Sequence, residues 1–226
     1  LYTVVEPSPE EIDAVYERAR TAAAKLRAMT VRQRLDELLK LKRYILANRE
    51  KMARCITSET GKCLSDAMLA EIFPALDTID YYDKRAEKML ADRKALTPVM
   101  LLGKKSRVLF EPMGVVLVIS PWNYPFNLSF LPWICAFVAG NAAIMKPSKE
   151  TPLKGMLEDM IAESGFMPDA LQIVYASRKT ADLLIEARPD KIHFTGSVAA
   201  GKKVMAKASD LLIPVELELG GKDPMI

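Results

Sequence analysis

The chain has 226 residues, of which 50% are hydrophobic and 27% are charged. This is the composition of an ordinary globular protein with one large or two small domains, and it excludes a disordered tail, a collagen-like fibre and a disulfide-rich mini-domain. Lysine and arginine number 32 against 29 aspartates and glutamates, with both signs interspersed. Neither nucleic acid nor a membrane surface is therefore expected as a partner.

Cysteine and histidine are scarce. The three cysteines, Cys55, Cys63 and Cys135, form no C-x-x-C pair, and His193 is the single histidine. An odd cysteine count without framework spacing is typical of a reducing compartment, and no metal site is expected. The first residues lack the apolar stretch of a signal peptide, so the expected location is cytoplasmic.

Residues 1–95 predict helices. Two capping boxes, Ser8 with Glu11 and Thr30 with Gln33, each precede apolar residues at helical spacing. A third helix is expected to carry residues 52–56 and to end near Gly61. A fourth is expected over roughly residues 64–90, with a bend at Pro74.

The pattern changes near Leu96, and residues 106–110 predict a strand. From residue 115 onward, short apolar runs alternate with helical stretches. The predicted strands are 115–119, 142–145, 171–174, 191–194 and 215–219, and the predicted helices are 127–139, 151–164, 180–187 and 199–208. This alternation indicates an α/β fold: a Rossmann-like parallel sheet with helices on both faces, preceded by an N-terminal helical segment.

The most apolar stretch, residues 126–145, contains Pro132, Gly140 and Asn141. These residues argue against a membrane span. The stretch instead predicts a buried helix, a turn and a buried strand.

Polar residues follow the first two predicted strands of the sheet, where parallel sheets bind ligands. Asn123 lies in a stiff turn between two prolines, and its amide could donate to a developing oxyanion. Lys146 ends the second strand and suits an anionic ligand. Taken singly, Asn123 could be a turn residue and Lys146 a solvated charge.

The fourth and fifth strands also end in candidate ligand-binding residues. Gly196 and Ser197 open a helix and could cradle a phosphate, and Glu218 precedes two glycines that permit close approach of another group. Helix capping would also explain Gly196 and Ser197, and a salt bridge would also explain Glu218. Convergence on four strand ends favours one shared site. Residues 196–203 nearly match the P-loop pattern, but Lys203 stands where a P-loop carries serine or threonine. This argues against a nucleoside triphosphatase.

Four segments in this order, PWNYPF, AGNAAIMKPSKETP, FTGSVAAGKKVMAKAS and LELGGKDP, resemble the motifs of the aldehyde dehydrogenase superfamily. ETGK and IDYYDKRAEKML resemble the start of that family. The resemblance implies that residues 1–95 are the helical part of a cofactor-binding domain and that residues 96–114 belong to an oligomerisation arm. Residues 115–226 would be its Rossmann-like part, and the catalytic domain would lie outside this chain.

The resemblance also implies a reaction: NAD(P)-dependent oxidation of a small-molecule aldehyde to a carboxylic acid through a cysteine thioester. Asn123 would donate to the oxyanion and Glu218 would be the general base that activates water. The implied cofactor-binding residues are Ile119, Ser120, Pro121, Trp122, Lys146, Ser148, Lys149, Gly196, Ser197, Leu219 and Gly220. The intact enzyme is expected to be a homo-oligomer, either a dimer or a tetramer.

The nucleophilic cysteine of the family lies beyond the glutamate that matches Glu218, whereas all three cysteines here precede it. We therefore expect structural cysteines and a fragment that binds cofactor but is inactive alone. Two alternatives stay open. One is a non-catalytic dinucleotide-binding or interaction module, and the other is a CoA-acylating member of the family.

Two further departures concern the cofactor. Lys149 stands where the family carries a glutamate that binds the ribose of NAD, and a cation there attracts a 2′-phosphate. This favours NADP over NAD, although Glu150 could partly substitute. The segment 175–178 lacks the glycines that the family often carries, which puts the cofactor contacts there in doubt.

Overall fold

The N-terminal third of the chain is helical in the computed structural model, which describes residues 5–222. Positions 1–4 and 223–226 of the predicted domains lie outside the described residues. The elements are α1 (Pro9–Ala28), α2 (Val31–Thr60), α3 (Leu64–Ala67), a π-helical turn (Met68–Ile72) and α4 (Phe73–Met89).

Both predicted capping boxes are present. Ser8 Oγ accepts a hydrogen bond from the Glu11 backbone nitrogen at 3.2 Å, and Thr30 caps α2 in the same way. Helix α2, however, runs unbroken for 30 residues where two helices were predicted. The intervening residues 47–51 contain neither glycine nor proline, so nothing ends the helix before Gly61, which adopts a φ of 76°.

The predicted bend at Pro74 takes a different form. A π-helical turn precedes α4, and Pro74 lies in the first turn of α4. The residues before it are already helical, so Pro74 removes one backbone N–H from a continuous helical segment. The Ala70 carbonyl, four residues earlier, instead accepts a hydrogen bond from Asn127 Nδ2 at 2.9 Å.

A small antiparallel hairpin follows, with strands β1 (Arg93–Ala95) and β2 (Ser106–Val108). The strand predicted for residues 106–110 is confirmed in its first three residues. Several apolar side chains of the hairpin are largely exposed, among them Leu96 and Met100.

The main sheet has five strands in the order β5-β4-β3-β6-β7, and every neighbouring pair is parallel. Its elements are β3 (Val115–Ile119), α5 (Asn127–Val138), β4 (Ala142–Lys146), α6 (Met156–Ser164), β5 (Leu171–Ile173), α7 (Arg178–Glu186), β6 (Lys191–Gly196), α8 (Val198–Asp210) and β7 (Val215–Leu219). All residues of β3 and β4 are buried, because helices cover both faces of the sheet. The predicted fold class is confirmed.

Two local features refine the prediction. Helix α6 begins at Met156 and not at Thr151, because both Leu153 and Gly155 have positive φ, which a helix cannot contain. The apolar stretch 126–145 is a buried helix, a turn and a strand, as predicted. Within residues 5–222, no helix is both long enough and apolar enough to cross a bilayer.

Candidate functional site

The direction of strand addition reverses between β3 and β6. The chain proceeds from β3 to β4 and β5 on one side, then returns to place β6 and β7 on the other. Such a reversal opens a crevice at the carboxyl ends of the two central strands. Ile119 pairs with Lys146 and Phe194, and Thr195 pairs with Glu218. The four sequence motifs therefore meet along one edge of the sheet.

The residues that follow β3 become steadily more exposed. Ile119 and Ser120 are buried, and the Ser120 nitrogen donates to the Lys146 carbonyl at 3.2 Å. Pro121 is half-buried, whereas the side chain of Trp122 is 60% exposed. Asn123 is exposed, and its side-chain amide makes no hydrogen bond within residues 5–222. An amide donor is thus presented at the edge of the crevice.

The backbone around Asn123 is held by residues from elsewhere in the chain. Thr151 Oγ1 donates to the Trp122 carbonyl at 2.9 Å, and Lys62 Nζ donates to the Asn123 carbonyl at the same distance. Lys62 also pairs with the buried carboxylate of Glu71. The sequence motifs did not single out Thr151, Lys62 or Glu71 as site residues.

The end of β4 carries a buried cation and an exposed one. Lys146 is only 6% exposed, and its Nζ donates to the Pro147 carbonyl at 3.2 Å. Ser148 is buried and its hydroxyl donates to Glu150. The Lys149 side chain is exposed, with its Nζ 4.0 Å from a Glu150 oxygen. Lys149 therefore faces solvent beside a partly compensating carboxylate.

The segment that follows β5 is bound by Glu6, a residue from the start of the chain. Glu6 accepts hydrogen bonds from Thr180 Oγ1 and from the Ser177 nitrogen, the latter at 3.0 Å. The Thr180 bond, then the Ser177 bond and the nearby charge of Lys146, hold the pKa of Glu6 below its usual value. The glycine-poor segment 175–178 is thus bound by a carboxylate from the start of the chain.

Side chains pack closely against two glycines, Gly196 at the end of β6 and Gly201 in α8. A Cβ on Gly196 would lie 2.7 Å from the Phe194 ring, and one on Gly201 would lie 2.6 Å from Leu219. Ser197 Oγ accepts a hydrogen bond from the Ala200 nitrogen at 3.3 Å and so caps α8. The N-terminus of a 13-residue helix, which favours anions, therefore lies at the crevice.

The two glutamates of edge strand β7 have different surroundings. Glu216 pairs with Lys191, and the hydrogen bond from Lys191, together with its charge, lowers the pKa of Glu216. Glu218 is exposed and makes no hydrogen bond or ion pair within residues 5–222. Leu219 and Gly220, which follow it, are also exposed. Glu218 is thus an accessible carboxylate at the same edge as Asn123.

The cysteines lie outside these strand ends. Burial raises the pKa of the Cys55 thiol in α2, and Cys135 Sγ in α5 lies 3.2 Å from Tyr82 Oη. Cys63 is exposed just before α3. Among the described residues, no group of three or more histidine, cysteine, aspartate or glutamate side chains could hold a metal ion.

Comparison with known proteins gives a consistent result. A model of the aldehyde dehydrogenase family matches residues 1–226. The chain is 40% identical over 220 residues to the 4,4′-diapolycopene aldehyde oxidase of a Methylomonas species, covering 96% of this chain and 42% of that protein. It is 36% identical over 217 residues to the dimeric NADP-preferring aldehyde dehydrogenase of Rattus norvegicus, covering 94% and 47%.

A solved structure gives the same picture. The aldehyde dehydrogenase PutA of Anabaena variabilis superposes with a TM-score of 0.91 at 33% identity, covering 99% of this chain and 47% of the other. The chain thus spans less than half the length of these relatives.

Proposed function

Because this chain belongs to the aldehyde dehydrogenase family, we propose that it binds NAD(P)⁺ in the crevice between β3 and β6 and serves the oxidation of an aldehyde to a carboxylic acid. One observation carries the proposal. The strand register aligns Lys146, Ile119 and Glu218 along the edge where the sheet order reverses, with Asn123 on the turn that follows.

The residues of this edge fit a dinucleotide. Lys146 offers a buried ammonium, which can donate hydrogen bonds to ribose hydroxyls at the end of β4. The N-terminus of α8, capped by Ser197, suits the pyrophosphate. Ile119 to Trp122 supply a largely apolar wall that ends in an exposed indole. A bound NAD(P)⁺ would supply the acceptor for the hydride of the substrate.

Two side chains of this chain would act on the substrate. The Asn123 amide, which cannot titrate, donates a hydrogen bond to the oxygen that becomes negative when a nucleophile attacks the aldehyde carbon. The carboxylate of Glu218 takes a proton from the water that releases the acid. Both groups are exposed at the edge of the crevice, where a substrate can reach them.

We propose that none of the three cysteines described above is the nucleophile, and that this chain alone binds cofactor without turnover. A raised pKa makes the Cys55 thiol a poor nucleophile at neutral pH. Cys135 lies near the C-terminal end of α5 and contacts Tyr82 of α4. Cys63 precedes the four-residue helix α3. None of the three lies in a loop that directly follows a strand of the main sheet.

The exposed ammonium of Lys149 supports a preference for NADP⁺ over NAD⁺. An exposed cation near the adenosine ribose would attract the 2′-phosphate, although Glu150 offsets part of its charge. The rat relative is described as NADP-preferring. Lys149→Glu should weaken NADP⁺ binding and strengthen NAD⁺ binding in calorimetry; unchanged affinities for both would contradict the preference.

The hairpin supports self-association as a dimer or tetramer. Leu96 and Met100 are 99% and 96% exposed, far more than apolar side chains usually are in a free monomer. We propose that residues 96–114 form the arm through which copies associate. Met100→Glu should shift sizing chromatography of the full-length gene product towards the monomer, whereas a monomeric wild type would contradict this role.

We propose an apolar aldehyde as the substrate, on the exposed apolar side chains that neighbour Asn123 and Glu71 in the sequence. Tyr124, next to it, is 41% exposed, and Leu69 and Phe73, on either side of Glu71, are 63% and 46% exposed. The Methylomonas relative is named for 4,4′-diapolycopene aldehyde. Leu69→Ser should raise the KM for a long-chain alkanal more than that for a short polar aldehyde. Equal changes for the two would contradict the substrate class.

The proposed function is tested by the full-length gene product with an aldehyde and NADP⁺ or NAD⁺. Reduced cofactor should accumulate, and Asn123→Ala should lower kcat about 10²–10³-fold, the usual cost of losing one oxyanion donor. Asn48→Ala, which removes an amide from α2, is the matched control and should leave kcat unchanged.

Other outcomes would favour the alternatives. Turnover only in the presence of CoA would indicate a CoA-acylating enzyme. Cofactor binding by the full-length product without turnover would indicate a non-catalytic dinucleotide-binding module. Wild-type kcat in Asn123→Ala would contradict the role of Asn123.

A further inference from the structure

Glu71 is a fully buried carboxylate on a helical segment of unusual geometry. It lies in the π-helical turn Met68–Ile72 and has no exposed surface. A buried carboxylate must be matched by donors, and three reach it: Lys62 Nζ at 2.5 Å, the Phe126 nitrogen at 2.8 Å and the Asn127 nitrogen at 3.2 Å. Two of these donors belong to the end of the turn that carries Asn123.

The same carboxylate completes helix α5. Phe126 is the N-cap residue of α5, and no side-chain cap of its own satisfies the first N–H groups of the helix. Glu71 accepts from two of them and so places a negative charge at the positive end of α5. The start of α5, and with it the end of the turn, is fixed by a residue from another helix.

Lys62 connects the Glu71 carboxylate to the part of the turn that carries Asn123. While paired with Glu71, its ammonium also donates to the Asn123 carbonyl at 2.9 Å and lies 4.1 Å from the centre of the Tyr124 ring. The Lys62 side chain is only 14% exposed, so these contacts are largely shielded from water. Lys62 thus links the backbone of Asn123 to the buried carboxylate of Glu71.

The remaining backbone carbonyls of the turn are held from other sides. Thr151 Oγ1 donates to the Trp122 carbonyl at 2.9 Å, and Ser129 Oγ donates to the Pro125 carbonyl at 2.6 Å. The backbone is therefore held before, at and after Asn123, whereas the Asn123 amide makes no hydrogen bond within the described residues.

We propose that the Lys62–Glu71 ion pair is a positioning device for Asn123, which fixes the turn so that the amide is already directed at the site of the oxyanion. This inference rests on the proposed function. Stability alone is a weak reason for such a pair, because well-packed apolar residues usually stabilise a core as well as a buried ion pair does. Fixed donors, by contrast, are what electrostatic stabilisation of a transition state requires.

A double-mutant cycle in the full-length gene product tests the inference, with kcat and KM for aldehyde oxidation as the readout. Lys62→Met should lower kcat about tenfold with little change in KM, because a displaced donor loses stabilisation that exists only in the transition state. In the Asn123→Ala background the same change should cost less than about twofold, since the group that Lys62 positions is then absent.

Lys42→Met is the matched control. Lys42 is a half-buried lysine that pairs with Asp80 between α2 and α4, remote from the turn. It should lower thermal stability without lowering kcat. If Lys62→Met does not fold, Lys62→Arg keeps the charge beside Glu71 while altering the contact with the Asn123 carbonyl. This variant should still lower kcat several-fold.

The outcomes separate the inference from the function it rests on. An Asn123→Ala variant with wild-type kcat would remove the proposed function. A large loss in Asn123→Ala combined with wild-type kcat in either Lys62 variant, or with multiplicative losses in the double mutant, would overturn the positioning role alone. Failure of both Lys62 variants to fold would also overturn it, by showing that the pair serves the fold.

Discussion

Asn123 and Glu218, the two residues proposed to act on the substrate, are held in place by very different contacts. Asn123 follows β3, a strand buried at every position, and its turn is bound by Lys62 and Thr151. Glu218 lies on β7, an edge strand whose residues are half-buried or exposed. Within residues 5–222, the backbone that carries the Asn123 amide is therefore bound by side chains from other elements, whereas the backbone of Glu218 is held by strand pairing.

The difference corresponds to the two chemical tasks. A donor to an oxyanion contributes only when it is in place before the charge develops, so its backbone should be fixed. A general base must reach a water molecule and retain some freedom, so a side chain without fixed partners is suitable. The predictions below test this contrast, from the largest expected effect to the smallest.

The largest effect is expected at the carboxylate. Glu218→Gln should reduce aldehyde oxidation by the full-length gene product about 10²–10⁴-fold, because an amide cannot take the proton from water. Glu216→Gln is the matched control, two residues earlier on the same strand, and should stay close to wild-type activity. Equal losses in the two variants would mean that the strand, and not the Glu218 carboxylate, matters.

The buried Lys62–Glu71 ion pair should contribute more to the unfolding free energy than an exposed ion pair does. Glu71→Ala leaves the Lys62 ammonium without its partner and should cost about 3–5 kcal/mol of unfolding free energy in urea titrations. Glu111→Ala breaks the exposed ion pair with Arg27 and should cost at most about 1 kcal/mol. Similar costs at the two positions would show that the buried pair does not hold the turn.

A smaller effect is expected at the N-terminus of α8. Ser197→Ala removes the hydroxyl that caps the helix and should lower the unfolding free energy by about 1 kcal/mol, whereas Ser197→Gly should cost only a few tenths. Thermal melts of the two variants distinguish these values. A glycine variant as unstable as the alanine variant would argue against a capping role.

The smallest effect concerns pH and the β6–β7 half of the sheet. Burial lowers the pKa of His193 below its ordinary value of 6.5, against the opposing charges of Glu216 and Glu218. The unfolded chain then binds a proton at a higher pH than the folded chain does, so stability should fall as pH drops below 6.5.

Urea titrations between pH 7 and 5.5 measure this dependence, and His193→Gln should flatten it. The expected slope lies well below the limit of about 1.4 kcal/mol for each pH unit that one full proton would give, because the charges of Glu216 and Glu218 offset part of the effect of burial. An unchanged slope in the variant would assign the pH dependence to another group.

The sequence was sufficient for the elements of this fold that depend on local pattern. All five strands of the sheet were placed to within two residues, because buried parallel strands are short apolar runs between turns. The two capping boxes located the starts of α1 and α2. The continuity of α2 follows from the local sequence, because residues 47–51 contain neither glycine nor proline. Local pattern did not predict the π-helical turn before Pro74, whose Glu71 makes long-range contacts with the start of α5.

The same limit applies to the candidate site. Asn123, Lys146 and Glu218 were identifiable because each ends a strand or follows one, but the residues that support them are distant in sequence. Lys62 is 61 residues from Asn123, and Glu6 is 171 residues from Ser177. No periodicity or spacing connects residues so far apart, and only the folded chain brings them together.

The most direct test of the central claim, that the crevice between β3 and β6 binds NAD(P)⁺, is calorimetry on the 226-residue chain. Wild type should bind NADP⁺ more tightly than NAD⁺. Lys146→Met should weaken both at least about tenfold, because it removes a charge-assisted hydrogen bond worth roughly 1.5–3 kcal/mol. Lys104→Met, on the exposed hairpin, should leave both affinities unchanged. Wild-type affinity in a folded Lys146→Met variant, or no binding of either cofactor by the wild type, would contradict the account.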